Sequence, residues 1–345
     1  MNTAQSKACE MEEKIMPIGG QAVIEGVMMR SPDRIVTAVR RAGGAIELKI
    51  QEYKSLMQRK KYLNIPIIRG AITLIEVMAI GIKHLNFSAD LAFRDIQEEE
   101  KKSGKKKKEK KSKKEGRGVL STFLSVTVAL AVGLALFFAL PLFVTTRLFD
   151  IEKDAFSFNL VAGGFRIFLF LGYIYLISLM KDVKRLFQYH GAEHKSIFAF
   201  EKGLELSVAN ARIQPRLHPR CGTSFLVMVM LVSLLFFALL DSTVIYFHGH
   251  INLLIRLATH LPLVPLVGGI SYEAIRASAK KPDHPIVKVL ISPGLALQRI
   301  TTREPDDGML QVALVSLKVA LGEAPEKILE TVNARNSKLM EKEAV

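Results

Sequence analysis

No charged residue occurs between Val119 and Val144. A run of that length is enough to cross the hydrocarbon core of a bilayer, which takes about 20 apolar residues as a helix. Inside lipid every backbone N–H and C=O must be satisfied within the segment, so a lone span has to be helical. Three further runs follow: Leu160–Met180, Phe225–Phe247 and Ile251–Ile270. The last holds Arg256, His260, Pro262 and Pro265, and its prolines predict a kinked or broken helix. The fold class expected is mainly α: a polytopic membrane protein with about four transmembrane helices over 118–271. Arg166 lies near the start of the second run and Asp241 near the end of the third. With Arg256 and His260 they are the residues an anion or metal transporter would use, unless they sit near helix ends and snorkel. No inverted repeat accompanies them, which weakens a transporter reading.

Charge sets the orientation. The formal net charge is +15, and residues 98–117 hold ten Lys and Arg117 against five Glu. Lys181, Lys184, Arg185, Lys195, Lys202, Arg212, Arg216 and Arg220 crowd the segment between the second and third runs. Bases concentrate on the cytoplasmic side of a membrane, so this loop, the Lys run and both termini are expected there. Such a Lys run beside a span contacts anionic lipid head groups. No nucleic-acid partner is expected, because no RNP motif, zinc-finger spacing or aromatic-basic interleave is present. Cys9 and Cys221 are too few for a disulfide framework, and Cys221 reads as a thiol on the reducing side. Residues 1–16 lack a signal peptide's apolar core and read as a disordered tail, which leaves insertion to an internal span.

The parts outside the spans read as follows. Residues 17–62 are a β-rich cytoplasmic part. Ala22–Arg30 is one strand, Ser31–Arg34 a turn and Ile35–Arg41 a second strand. Gly43 and Gly44 make the next turn, and Ile46, Leu48 and Ile50 alternate in a third strand. Glu25 is a lone acid in an apolar run, either on a surface turn or turned inward. Over 63–96 a re-entrant or interfacial helix is expected, with Arg69 and Glu76 paired on one face. A full span there would put Arg30, Arg34, Arg40 and Arg41 on the wrong side. Residues 97–117 are a Lys-rich disordered linker. Residues 272–345 form a soluble C-terminal region, with a turn at 282–285, a break at Ser292-Pro293-Gly294, a helix start at 301–307 and an amphipathic helix at 309–321.

The chemistry concentrates in Tyr189–Lys195 (YHGAEHK) and His218–Gly222 (HPRCG). If 181–204 is a helix, His190 and His194 share one face and Glu193 stands at its edge. This is the H-x-x-E-H order, in which two imidazoles hold zinc and the carboxylate is a base toward metal-bound water. His218 or Cys221 would complete an open three-ligand site, with Glu273 as an alternative. Lys195 or Arg220 would stabilise an oxyanion or hold a phosphate. The cofactor expected is a divalent metal, zinc by ligand type. Such a site suits a hydrolase acting on a membrane-proximal peptide or lipid head group. A closed site of His190, His194, His218 and Cys221 suits instead a scaffold or assembly factor, with a protein partner or a second copy. The plainest alternative is that these are ordinary interfacial residues beside a membrane helix.

Four stretches, GGQAVIEGVMMR (19–30), YHGAEHK (189–195), HPRCGTSF (218–225) and PGLALQRITTREPDD (293–307), resemble the YqhQ-like family of bacterial membrane proteins. The likeness runs from about residue 17 to 320. It implies a bacterial plasma-membrane protein and a metal-dependent enzyme, resting here on His190, Glu193, His194, His218 and Cys221.

Overall fold

The computed structural model describes residues 18–102, 124, 127–149, 151, 154–278 and 284–332. The expected tail at 1–16, most of the Lys-rich linker and the first half of the 282–285 turn lie outside the described residues.

The N-terminal part is a four-stranded antiparallel meander in the order β1 (Gly19–Val23), β2 (Gly26–Arg30), β3 (Arg34–Arg40) and β4 (Ile46–Glu52). Ala22–Arg30 is therefore not one strand. It folds back at Ile24-Glu25, where Val23 pairs with Gly26 and Glu25 takes a left-handed φ of 53°. Only Gly at 26 permits the next crossing, since a Cβ there would lie 2.2 Å from the Ala38 carbonyl. Side chains alternate across a strand, and both faces of this sheet are covered. Val27, Met29, Val36 and Ala38 face one core, while Val23, Met28, Ile35 and Val39 face another. That is why these strands read as unbroken apolar runs.

After a single turn, α1 (Leu56–Arg59), comes α2 (Ile68–Lys102), a helix of 35 residues. Its middle covers one face of the sheet through Ile80, Leu85, Phe87 and Leu91. Its first turns pack on a membrane-type helix. The helix expected over 63–96 is thus one continuous rod that runs on into the start of the expected linker. Arg69 does not pair with Glu76. It forms a two-pronged ion pair with Glu273, at 2.6 and 2.5 Å, while Glu76 accepts from the backbone N–H of Leu56.

Among the described residues, four helices are long and apolar enough to cross a membrane: α3 (Thr127–Leu148), α4 (Ala155–Ser178), α7 (Gly222–His248) and α8 (Leu253–Ser278). Asp154 caps α4 by accepting from the N–H groups of Phe156 and Ser157, and Gly249 ends α7 in the left-handed conformation. Pro262 and Pro265 do not break α8, which runs unbroken. Neighbouring helices in a bundle can re-satisfy the groups a proline frees. Between α4 and α7 stand α5 (Lys181–Glu201) and the short α6 (Val208–Arg212). Beyond α8, α9 (Pro285–Thr301) passes straight through Ser292-Pro293-Gly294, where a break was expected. It lies against α7 and α4 instead of joining a separate soluble region. A Cβ at Gly294 would sit 2.6 Å from Ser224 Oγ, so glycine sets that approach.

The last well-packed helix, α10 (Asp307–Ala320), starts where the acids predicted it, with Asp306 accepting from Met309 N–H. It covers the second face of the sheet together with α5. Ser316 donates to the Val36 carbonyl, and Arg40 donates to the Gly308 carbonyl and to Gln311 Oε1. Sheet, α2, α5 and α10 thus form one layered head on the bundle.

Candidate metal centre

His190 and His194 sit on α5 one turn apart, their ring centroids 4.4 Å from each other. Each ring is held from behind by a main-chain carbonyl. His190 Nδ1 is 2.8 Å from the Thr301 carbonyl oxygen, and His194 Nδ1 is 2.5 Å from that of Arg216. A carbonyl can only accept, so both Nδ1 atoms carry the proton and both Nε2 atoms are unprotonated acceptors. His190 Nε2 lies 3.2 Å from Cys221 Sγ. His194 Nε2 is buried and has no hydrogen-bond partner among the described residues. The three ligand atoms of His190, His194 and Cys221 all fall within 4.8 Å of one another. Burial, partly offset by Cys221, holds His194 below the usual imidazole pKa and so in the neutral form that a metal needs.

Cys221 is the N-cap of α7, and its sulfur accepts from Thr223 N–H at 3.4 Å. The positive end of a helix suits an anionic sulfur ligand. The loop carrying it is fixed by Gln298 of α9, which is fully buried. Gln298 Oε1 accepts from His218 N–H at 2.7 Å, and its Nε2 donates to the His218 carbonyl and to Ser224 Oγ.

His218 itself is turned aside. Its Nε2 donates to Glu201 at 3.2 Å and its Nδ1 accepts from Arg220 N–H, so both ring nitrogens are committed. Glu201 also takes the Arg220 guanidinium. Burial works to raise the Glu201 pKa, but His218 and Arg220 outweigh it and hold the carboxyl below the usual range. Lys195 is nearly buried, donating to the Arg212 carbonyl and pairing with Glu304 at 2.9 Å. Neither Lys195 nor Arg220 is joined to the histidine–cysteine cluster. Glu273 is held by Arg69.

Glu193 is 5% exposed, and desolvation, offset in part by His190, pushes its pKa up to about 7. It packs across β1, where a Cβ at Gly20 would lie 2.8 Å from its Cγ, Cδ and Oε1. Gly20 is therefore the residue that makes room for the carboxylate. Glu25 pairs with Arg185 and accepts from Tyr189 Oη at 3.4 Å, which ties the hairpin turn to α5. Sequence reasoning missed Gln298, Gly20 and the carbonyls of Thr301 and Arg216. Only Gln298 carried a signal, as the one polar residue of the stretch 295–298 in an apolar helix.

A family model described as "Protein of unknown function (DUF1385)" matches residues 65–323. The chain belongs to the DUF1385 family. Within that match lie α2 to α10, and with them every candidate ligand. A curated relative, "Uncharacterized protein YqhQ" of Bacillus subtilis (strain 168), is 35% identical over 341 residues, covering 95% of this chain and 98% of its own. Neither description names an activity. No solved structure gives a significant match.

Proposed function

We propose that this protein is a membrane-embedded, metal-dependent hydrolase whose zinc site is formed by His190, His194 and Cys221 at the cytoplasmic face. The observation that carries the reading is the pair of carbonyl-anchored imidazoles whose unprotonated Nε2 atoms turn to one cysteine sulfur. Ligating histidines commonly donate their second ring N–H to a carbonyl or carboxylate, which fixes tautomer and orientation. Two histidines and one thiolate leave a tetrahedral ion one open position, as a catalytic zinc requires. A zinc ion held there would lower the pKa of a bound water and polarise a carbonyl or phosphoryl oxygen. Glu193 supplies the base: a carboxyl held near pH 7 can take a proton and give it back at neutral pH. His218, Glu201 and Arg220 form the outer shell that orients the Cys221 loop. The substrate class is a membrane-proximal peptide or lipid head group, because Cys221 caps the start of the membrane-type helix α7.

Metal analysis of the detergent-purified chain tests this. Wild type should carry about one zinc, His190→Ala and His194→Ala should carry none, and Glu193→Gln should keep zinc. A wild-type protein that holds no zinc, even after zinc is supplied, sinks the proposal.

A second reading rests on the same sulfur. A cysteine at a helix N-terminus, 3.2 Å from a histidine, is also the geometry of a nucleophilic thiol. Iodoacetamide separates the two. Rapid alkylation of Cys221 in zinc-loaded protein favours the nucleophile, and protection by zinc favours the ligand.

A further inference from the structure

Four polar residues of the membrane-type helices, Asn159, Asp241, Arg256 and His260, meet far from the histidine–cysteine cluster. Asp241 and Cys221 are twenty residues apart on one helix line, roughly 30 Å at 1.5 Å per residue. Asp241 is fully buried and takes three donors: Arg256 Nε at 3.0 Å, His260 Nε2 at 2.8 Å and Asn159 Nδ2 at 2.7 Å. Its two oxygens are committed to those three groups.

Arg166 of α4 stands beside this network with much less. Only 8% of it is exposed, and its Nε and Nη2 have no hydrogen-bond partner among the described residues. Its guanidinium carbon lies 4.8 Å from the ring centre of Phe138 and 5.9 Å from that of Phe237. Those faces attract a cation but offer no lone pair to an N–H. Arginine does not shed its proton to escape such a place. Nor is Arg166 turned out to water: it lies eleven residues into α4 and is buried against Phe138 and Phe237 of two neighbouring helices. Phe138 belongs to a π-helical turn of α3, Ala135–Ala139. Such turns often occur at functional sites.

We infer that the Nε and Nη2 donors of Arg166 bind a small monovalent inorganic anion, such as chloride, inside the bundle next to the Asp241 network. The Nε–Nη2 edge of a guanidinium presents two parallel donors to one acceptor. The surroundings limit the ligand's size: Leu142, Phe158 and Ala162 are packed together with Phe138, and His260 stacks on Phe237 at 4.0 Å. A halide suits that enclosure better than a phosphate or a lipid head group. The site shares no residue with the proposed zinc centre and stands or falls without it.

The test uses the full chain in detergent, purified into sodium gluconate. Radiolabelled chloride is added and binding followed by scintillation proximity. Saturable binding of about one chloride per chain, displaced by bromide and not by gluconate or phosphate, is the expected result. Arg166→Gln should weaken it at least tenfold. Should Arg166→Gln not fold, Arg166→Lys keeps the charge but loses the fork, and should also weaken chloride by about tenfold. Absence of saturable chloride binding by wild type overturns the inference and leaves the donors to internal water. So does a folded Arg166 variant that binds chloride as wild type does.

Discussion

His84 shows how much one buried side chain can set. It carries no accessible surface, its Nδ1 shares a 2.7 Å hydrogen bond with Thr37 Oγ1, and its Nε2 has no partner among the described residues. Burial first, then the nearby charges of Lys49 and Lys83, push its pKa down to about 4 from 6.5. Between those values the unfolded chain binds a proton that the folded chain refuses, so stability falls as pH drops through that window. The full loss is about 3 kcal/mol. Thermal unfolding of wild type and His84→Gln at pH 7.5 and pH 4.5 checks this. The variant should lose markedly less stability on acidification. A wild type no more acid-sensitive than the variant refutes it. At this scale the sequence was readable where chemistry shows in one letter: His190, Glu193, His194 and Cys221 stood out by type and spacing. It was not readable where the residue matters by absence. Gly191 looks like filler inside H-x-x-E-H, yet a Cβ there would lie 2.1 Å from the Arg303 carbonyl oxygen. What excludes a side chain at 191 sits over a hundred residues away.

Among the elements, α2 and α8 make the contact least visible beforehand. Arg69 and Glu76, seven apart on one helix, look like partners by periodicity, but Arg69 reaches Glu273, 204 residues on. Glycine brings the two helices close: a Cβ at Gly269 would lie 2.3 Å from the Ile67 carbonyl oxygen. A two-pronged pair with side chains about one-fifth exposed is screened by solvent, so its coupling should be modest, about 1 kcal/mol. A double-mutant cycle of Arg69→Ala and Glu273→Ala, read by unfolding in mixed micelles, should give that coupling. Strict additivity would show that α2 is held by packing alone. The four long apolar helices were legible because hydrophobic length is a local property. The hairpin at Glu25 and the unbroken course of α8 and α9 through their prolines were not. In each case tertiary packing settles what a local breaker leaves open.

At the scale of the whole molecule, the candidate centre is where distant segments are pinned together. α5 gives two imidazoles, the 218–221 loop gives the sulfur, and the end of α9 gives the Thr301 carbonyl. Gln298 joins the last two, bonding both main-chain groups of His218. Gln298→Leu keeps the volume but leaves a buried N–H and C=O unpaired, which should cost about 2–4 kcal/mol. It touches no proposed ligand, so its effect on metal must pass through the loop. A zinc ion that binds only the folded chain adds stability by mass action, about 4 kcal/mol at a thousandfold excess over its Kd. Wild type should therefore melt several degrees higher with zinc than with chelator. In Gln298→Leu the increment should shrink, because the sulfur is no longer held against two fixed imidazoles. If the variant is destabilised but gains as much from zinc as wild type, Gln298 supports only the fold. If it gains less while His190→Ala gains nothing, the α9 clamp is part of what makes the site bind, and the head and the bundle are coupled through it.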